Sequence, residues 1–374
     1  MESRKIMKLT YGSLFSGVGG FDLGFDQESY ECVFQVEWDK SCQKILNRHW
    51  PEVPKWLDVQ EVNGAEVSPC DVLIFGSPCQ DLSVAGKRAG LEGDRSSMFY
   101  EATRIIKEMR NATESVYPRI VVWENVPGAI TSNNGADFGQ VLDTLAECGA
   151  VDIHWSILDA QYFGVPQRRR RIFVVAIFDT SAAARCPDTL LPVTEGSRGD
   201  FKKSRTARQN LARTINESTN TSDEQTSLTP VAYSIREDAK ANTFSATQTD
   251  TALCLNGLIP SPQSHHAQIF IAEPQPIYSF DTQFGSNAAV FENQTPTLKA
   301  SQQAPSIANI DLSVRRLTPL ECERLQGWPD DHTRWTANGE EQADTVRLKQ
   351  CGNGVATPVA KWVAKHIKKI LEIT

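Results

Sequence analysis

Apolar runs of strand length alternate with segments of helical spacing through the first 180 residues, a pattern that predicts an α/β domain with a parallel sheet covered on both faces. Strands are expected at Lys8 to Ser16, Tyr30 to Val36, Asp71 to Gly76, Ile120 to Glu124, His154 to Leu158 and Arg171 to Ile177. Helices are expected at Ser41 to Trp50 and Met98 to Arg110. From about Thr180 to Leu312 the apolar runs shorten and Ser, Thr, Gln, Asn and Pro dominate, which describes either a small β-rich domain or disorder. Strand candidates at Val231 to Ile235, Gln268 to Ala272 and Pro276 to Phe280 favour the loop-rich β domain. Helical spacing returns at Thr318 to Gln326 and from Val355 to Leu371, so the last segment is expected to pack back on the first domain. The expected division is 1–180, 181–312 and 313–374.

Composition changes this picture little and charge complicates it. No apolar run approaches the roughly 18 residues of a membrane span, and the charged N-terminus has no signal-peptide pattern, so a cytoplasmic protein is expected. The nine cysteines contain no CxxC pair and the six histidines form no ligand pattern, which suits reduced thiols and leads to no expected metal. A net charge of −8 does not announce a nucleic-acid binder. Any such contact must come from local basic clusters: Arg168 to Arg171, Arg315 with Arg316, and the stretch from Arg198 to Arg213, which equally suits a solvated face.

Candidate chemistry sits at the expected strand ends. Leu14 to Phe25 read LFSGVGGFDLGF, a strand entering a glycine-rich turn and an apolar helix start. Such a loop lets backbone approach a ligand closely, but alone it fits dinucleotide binding equally well. Glu37, at the end of the second strand, is placed to accept from ribose hydroxyls, and Trp38 to lie on an adenine ring; a surface Glu beside a core Trp is the plainer reading. Cys79 follows the apolar run DVLIF in a Pro-Cys-Gln turn, the edge of an α/β sheet where ligands bind. An exposed, electropositive setting there would make its thiolate accessible. Glu124 ends IVVWE at the same edge, as a proton donor or acceptor or as a plain strand end.

Six blocks in order then carry a resemblance. FSGVGG at Phe15 to Gly20, Pro78-Cys79-Gln80, Glu124-Asn125-Val126, Gln167 to Arg171, RRLTPLECERLQGWPD from Arg315 to Asp330 and GNGVATPV from Gly352 to Val359 make the chain similar to the cytosine carbon-5 DNA methyltransferases of restriction-modification systems and phages. The resemblance implies a Rossmann-like S-adenosylmethionine-dependent methyltransferase fold with a smaller loop-rich β target-recognition domain. It also implies a prokaryotic or phage-encoded monomer acting on duplex DNA, with a cognate restriction endonuclease as candidate genetic partner.

By the same resemblance Phe15, Gly17, Gly19, Glu37, Trp38, Asp58, Val59, Gly76, Pro78, Met98, Asn353 and Gly354 surround S-adenosylmethionine. Cys79 attacks carbon 6 of a flipped cytosine, Glu124 binds its ring nitrogen and exocyclic amine, and Arg169 and Arg171, on one strand face with Gln167, hold the base and the catalytic loop. Arg168 and Arg170 point the other way, to phosphate or to solvent. The loop Asp81 to Arg95 is a candidate lid. Two positions depart from the family pattern: Gly354, where Ser or Ala is usual, and Asp81, where an apolar residue or Pro is usual. An RNA cytosine methyltransferase, a regulator that has kept the fold without activity, and a nicotinamide-dependent oxidoreductase are the competing readings. The long polar insert, the intact Cys79, Glu124 and Arg169, and the remaining blocks count against them in turn.

Overall fold

The structure is a computed structural model that describes residues 8–77, 97–192 and 317–372, together with seven short strands and Thr295 between 231 and 316. Cys79 and Pro78, the loop Asp81 to Arg95, and the basic stretch Arg198 to Arg213 lie outside the described residues.

A seven-stranded sheet forms the centre. Its strands are β1 (Thr10–Leu14), β2 (Glu31–Val36), β3 (Lys55–Trp56), β4 (Val72–Phe75), β5 (Ile120–Asn125), β6 (Asp152–Asp159) and β7 (Arg170–Ile177), in the order β3-β2-β1-β4-β5-β7-β6. The helices are α1 (Gly20–Asp26), α2 (Lys40–His49), α3 (Ser97–Ala112), α4 (Gly128–Thr131), α5 (Ala136–Glu147), α6 (Thr180–Arg185), α7 (Pro319–Leu325), α8 (Asp344–Asn353) and α9 (Thr357–Leu371).

Each central strand divides its side chains between two cores, because successive residues of a strand face opposite sides. Leu73, Phe75, Val121, Trp123, Ile172 and Val174 pack with Phe99, Ile105 and Met109 of α3 and Val141 and Leu145 of α5. Val72, Ile74, Ile120, Val122, Phe173 and Val175 pack with Phe21 and Phe25 of α1 and Val359, Val363 and Ile367 of α9. Burial on both faces explains why VLIF and IVVW are continuous apolar runs rather than alternating ones.

The sheet is not wholly parallel. β7 runs antiparallel to both β5 and β6, whereas β1, β2, β3, β4 and β5 pair in parallel. Residues 160–169 connect β6 to β7 through one 3-10 turn, too short a path for the crossover of a dozen or more residues that a parallel pair requires. The reversal carries the amino end of β7 to the edge where β4 and β5 finish.

The C-terminal segment closes over that edge. Gly24 of α1 faces Ala360 so closely that a Cβ would lie 2.5 Å from the Ala360 Cβ, and Thr357 Oγ1 donates to Gly20 O at 2.8 Å. A third apolar cluster joins Val18, Cys42 and Ile45 to Leu317, Cys322, Leu325, Trp328 and Cys351. Between 231 and 316 lie β8 (Val231–Glu237), β9 (Phe244–Thr249), β10 (Gln268–Ala272), β11 (Tyr278–Phe280), β12 (Val290–Glu292), β13 (Ser306–Ala308) and β14 (Val314–Arg316), which form two further sheets in the orders β10-β8-β9 and β12-β11-β13-β14.

Candidate functional site

The glycine loop after β1 is built by backbone conformations that most side chains resist. Gly17 and Gly19 have φ of 58° and 82°, and Phe15, a bulky residue, has φ of 55°. Such a value in a non-glycine residue is strain that the surrounding structure must hold in place. Part of the restraint is Glu37, whose Oε2 accepts from Gly17 N and whose Oε1 accepts from Asp39 N, both at 2.7 Å. Burial pushes the Glu37 carboxyl up from its ordinary range, while those two N–H donors partly offset the rise. A carboxylate offers about four acceptor positions, so two remain for a ligand.

His332 secures the other side of the loop. Its Nε2 lies 2.7 Å from Val18 O, and burial and the neighbouring His49 hold its pKa down to about 3. A neutral imidazole must donate from Nε2 to that carbonyl, leaving Nδ1 bare. His49 stacks on it with ring centroids 4.2 Å apart.

Beside the loop lies a cavity of about 360 Å³ lined by Phe15, Val36, Trp38, Leu57, Asp58, Val59, Gln60 and Met98. Its size and apolar walls suit an organic ligand. The Trp38 indole is 68% exposed, a large apolar face left open to solvent. Asp58 caps a 3-10 turn at Val59–Glu61 by accepting from Gln60 N at 2.9 Å. Arg104 of α3 ties this turn down by donating to Val59 O and Val62 O at 3.0 and 2.8 Å.

Of the twelve residues expected around a cofactor, five line this cavity and Glu37 stands in the chain between two lining residues. Gly17 is bound to Glu37, Gly19 lies in the same loop, and Pro78 is outside the described residues. Gly76 does not line the cavity; it backs Glu124, whose Oε2 would be 3.2 Å from an added Cβ. Asn353 is exposed at the end of α8, and Gly354 lies under the Trp328 ring, where an added Cβ would be 2.3 Å from Cζ2. Val36, Leu57 and Gln60 were not foreseen. Val36 and Leu57 are adjacent in the chain to Glu37 and Asp58, and Gln60 follows Asp58 by two residues, and that closeness was the available signal.

At the ends of β4 and β5 the charged groups converge. Glu124 is 9% exposed, and Arg171 Nε lies 3.1 Å from its Oε1. That contact is an ion pair whose N–H is not aligned for a hydrogen bond, so Oε1 has no hydrogen-bond donor among the described residues. Such an atom is costly unless something else supplies a donor. Trp123 Nε1 donates to Ser77 Oγ at 3.0 Å, fixing the residue that follows Gly76.

Arg169 is buried and donates from Nη2 to Gly352 O and Gly354 O at 3.2 and 2.7 Å. Burial first and Arg171 second lower its pKa, with Glu124 opposing, but a guanidinium starts so high that it keeps its charge. Gln167 Nε2 donates to Leu325 O at 2.9 Å. Gln167 and Arg169 are buried while Arg168 and Arg170 are exposed, the alternation that the sequence led one to expect.

Fold and site together define a Rossmann-like S-adenosylmethionine-dependent methyltransferase class. The family model for C-5 cytosine-specific DNA methylases matches residues 9–369, and the chain belongs to that family. Among curated relatives, a protein of Escherichia phage P1 named a DNA N-6-adenine-methyltransferase is 28% identical, over 97% of this chain and 61% of its own length. The chain thus spans less than two thirds of that relative. The Type II methyltransferase M1.ScrFI of Lactococcus lactis subsp. cremoris is 26% identical over 99% of this chain and 81% of its own. Among solved structures, the S. pombe Dnmt2 methyltransferase superposes with a TM-score of 0.56 at 13% identity, over 98% of this chain and all of that one, a likeness of fold. No helix among the described residues is long and apolar enough to cross a membrane.

Proposed function

We propose that this chain transfers a methyl group from S-adenosylmethionine to carbon 5 of a cytosine flipped out of duplex DNA, with Cys79 as covalent nucleophile. The observation that carries the reading is the buried Glu124 carboxylate, charge-paired with Arg171 and lacking a hydrogen-bond donor at Oε1 among the described residues, at the same carboxyl edge of the sheet as the cavity. When bound, S-adenosylmethionine supplies an electrophilic methyl on a sulfonium.

The cavity residues fit that donor. Phe15, Val59 and Met98 give apolar walls, Trp38 a face for a purine, Glu37 two free acceptor positions for ribose hydroxyls, and Asp58 a second carboxylate. Trp38 and Glu37 are adjacent, as a joined base and sugar require. The family resemblance adds Asn353 and Gly354 to this set. Their segment is fixed by Arg169, which acts here as a positioning residue.

Cys79 follows Ser77 by two residues, so chain connectivity keeps it within about 7 Å of that anchored position. Its thiolate adds to carbon 6 of the ring, and the displaced electron pair moves toward ring nitrogen 3, which takes a proton from solvent, donates it in a hydrogen bond to the Glu124 carboxylate, and gives it back when the ring is restored. Carbon 5 gains enamine character and takes the methyl group. Loss of the carbon-5 proton to water or a base then expels the thiolate and restores the ring. Arg171 keeps the Glu124 carboxylate paired throughout, at the edge to which the antiparallel β7 delivers it.

A second reading rests on the phage relative's name: methylation of the adenine exocyclic amine. That nitrogen has its own lone pair and needs no nucleophilic adduct, so Cys79 would have no role. Duplex DNA containing 5-fluorocytosine separates the two, because fluorine cannot leave as a cation and the adduct persists. A denaturation-resistant complex is expected with the native chain and none with Cys79→Ser. Absence of the complex from an active native enzyme would refute the covalent mechanism.

A further inference from the structure

Far from the reacting edge, three side chains that the reaction does not use come together. Asp152 opens β6 and His154 follows on the same face, since residues two apart in a strand share a side. Cys186 is the residue that ends α6. His154 Nε2 lies 2.8 Å from Asp152 Oδ2 and 3.3 Å from Cys186 Sγ, and the three ligand atoms fall within 4.8 Å of one another. The sequence hid this group, because two ligands two residues apart and a third more than thirty residues later match none of the usual cysteine and histidine spacings. The pairing Asp152↔Ile177↔Ile120 puts it where β5 begins, opposite the end that carries Glu124.

The geometry points to a divalent metal site of Asp152, His154 and Cys186 that takes zinc. One imidazole nitrogen, one thiolate and one carboxylate form a borderline donor set that suits zinc, whereas calcium and magnesium take oxygen ligands. Zinc bonds of about 2.3 Å to sulfur and 2.0–2.1 Å to nitrogen or oxygen, arranged tetrahedrally, set ligand atoms about 3.6 Å (S to N) and 3.3 Å (N to O) apart. The observed 3.3 and 2.8 Å therefore open by no more than about half an ångström to admit the ion.

Binding balances simply. The Cys186 thiol gives its proton to solvent as the S–Zn bond forms, and His154 binds through the Nε2 lone pair with its hydrogen on Nδ1. No oxidation state changes, and a water fills the fourth position. The ion joins strand β6, paired on one side only among the described residues, to the chain leaving α6.

The test uses the full chain in the Cys79→Ser background, stripped with a chelator and titrated with Co2+ and then Zn2+. A thiolate-to-cobalt absorption in the near ultraviolet saturating at one equivalent is expected, bleached by Zn2+ and absent from Cys186→Ser and His154→Ala. Zn2+ at a hundred times its Kd should raise Tm by about 3 °C. Should either variant fail to fold, alkylation mapped by mass spectrometry on the unsubstituted chain decides, with Cys186 expected to react about tenfold more slowly when Zn2+ is present. No saturable cobalt–thiolate band, a band that survives Cys186→Ser, or unchanged labelling of Cys186 would overturn the site.

Discussion

Gly354 stands where the resemblance led one to expect Ser or Ala, and the structure gives glycine there a cause that substitution can measure. Its φ of −72° and ψ of 163° suit any residue, so the requirement for glycine is one of space. An added Cβ would lie 2.3 Å from Trp328 Cζ2 and 2.5 Å from Cη2. The indole cannot retreat freely, because it is 4% exposed, donates from Nε1 to Val355 O at 3.1 Å and touches Gly20 on its other side. Gly354→Ala must therefore push the ring or its own backbone by an ångström or more. Overpacking of this kind costs about 1–3 kcal/mol, and loss of the indole hydrogen bond adds about 1 kcal/mol. The backbone route is no cheaper, since the Gly354 carbonyl accepts from buried Arg169. A total near 3 kcal/mol lowers Tm by about 4 °C, readable by calorimetry or far-ultraviolet circular dichroism. Trp328→Phe removes the offending ring atoms, so the double variant should be at least about 1 kcal/mol more stable than additivity allows. A Gly354→Ala protein with native Tm, or strict additivity with Trp328→Phe, would refute the proposed packing.

Other expectations follow from single groups. Glu37→Ala removes the acceptor of the Gly17 and Asp39 N–H groups together with the free acceptor positions, so S-adenosylmethionine affinity by calorimetric titration should fall about 10- to 100-fold, one or two lost charged hydrogen bonds, while the fold persists. Unchanged affinity would exclude Glu37 from the cofactor site. Asp22 is fully buried, and burial raises its carboxyl to about 7. A raised folded-state pKa gives stability that is complete below about pH 4 and lost as pH climbs through about 7, an amount of about 4 kcal/mol. Asp22→Asn, which can still accept from Gln35 Nε2, should flatten the fall in urea-unfolding free energy between about pH 4 and pH 7. An unaltered slope would show that Asp22 is not its source.

The central strands were legible because burial on both faces leaves an uninterrupted apolar signature, as in VLIF and IVVW. The direction of β7 was not, since apolar pattern marks a strand without its orientation; the ten-residue span after β6 was the clue. Four helices, α4, α5, α6 and α8, escaped notice, and the two longest of them lack end signals. α5 starts after Asn133, Asn134 and Gly135, all with positive φ, with no capping side chain, and α8 likewise has none at Ala343. By contrast α7 begins with Thr318 and Glu321 in a reciprocal capping box, and its position was read within a residue at each end.

At the site, residues adjacent to a chemical motif were readable and those that arrive by folding were not. Glu37, Asp58 and Glu124 stand at strand ends or turns, where sequence marks position. Trp328, His332 and Arg104 reach the glycine loop and the Asp58 turn from elsewhere in the chain, and nothing in their local pattern distinguishes them from core or surface residues. The arginine run was half legible: its alternation separated buried Arg169 from exposed Arg168 and Arg170, while the carbonyl partners of Arg169, 183 and 185 residues away, depended on the fold.

The atom of the base that receives the methyl group decides between cytosine and adenine chemistry. Purified protein incubated with unmethylated duplex DNA and S-adenosylmethionine carrying an isotopically labelled methyl, followed by digestion to nucleosides and mass spectrometry, measures this directly. Label in 5-methylcytosine, lost with Cys79→Ser, is the expected result. Label in N6-methyladenine, or 5-methylcytosine formed undiminished by Cys79→Ser, would contradict it.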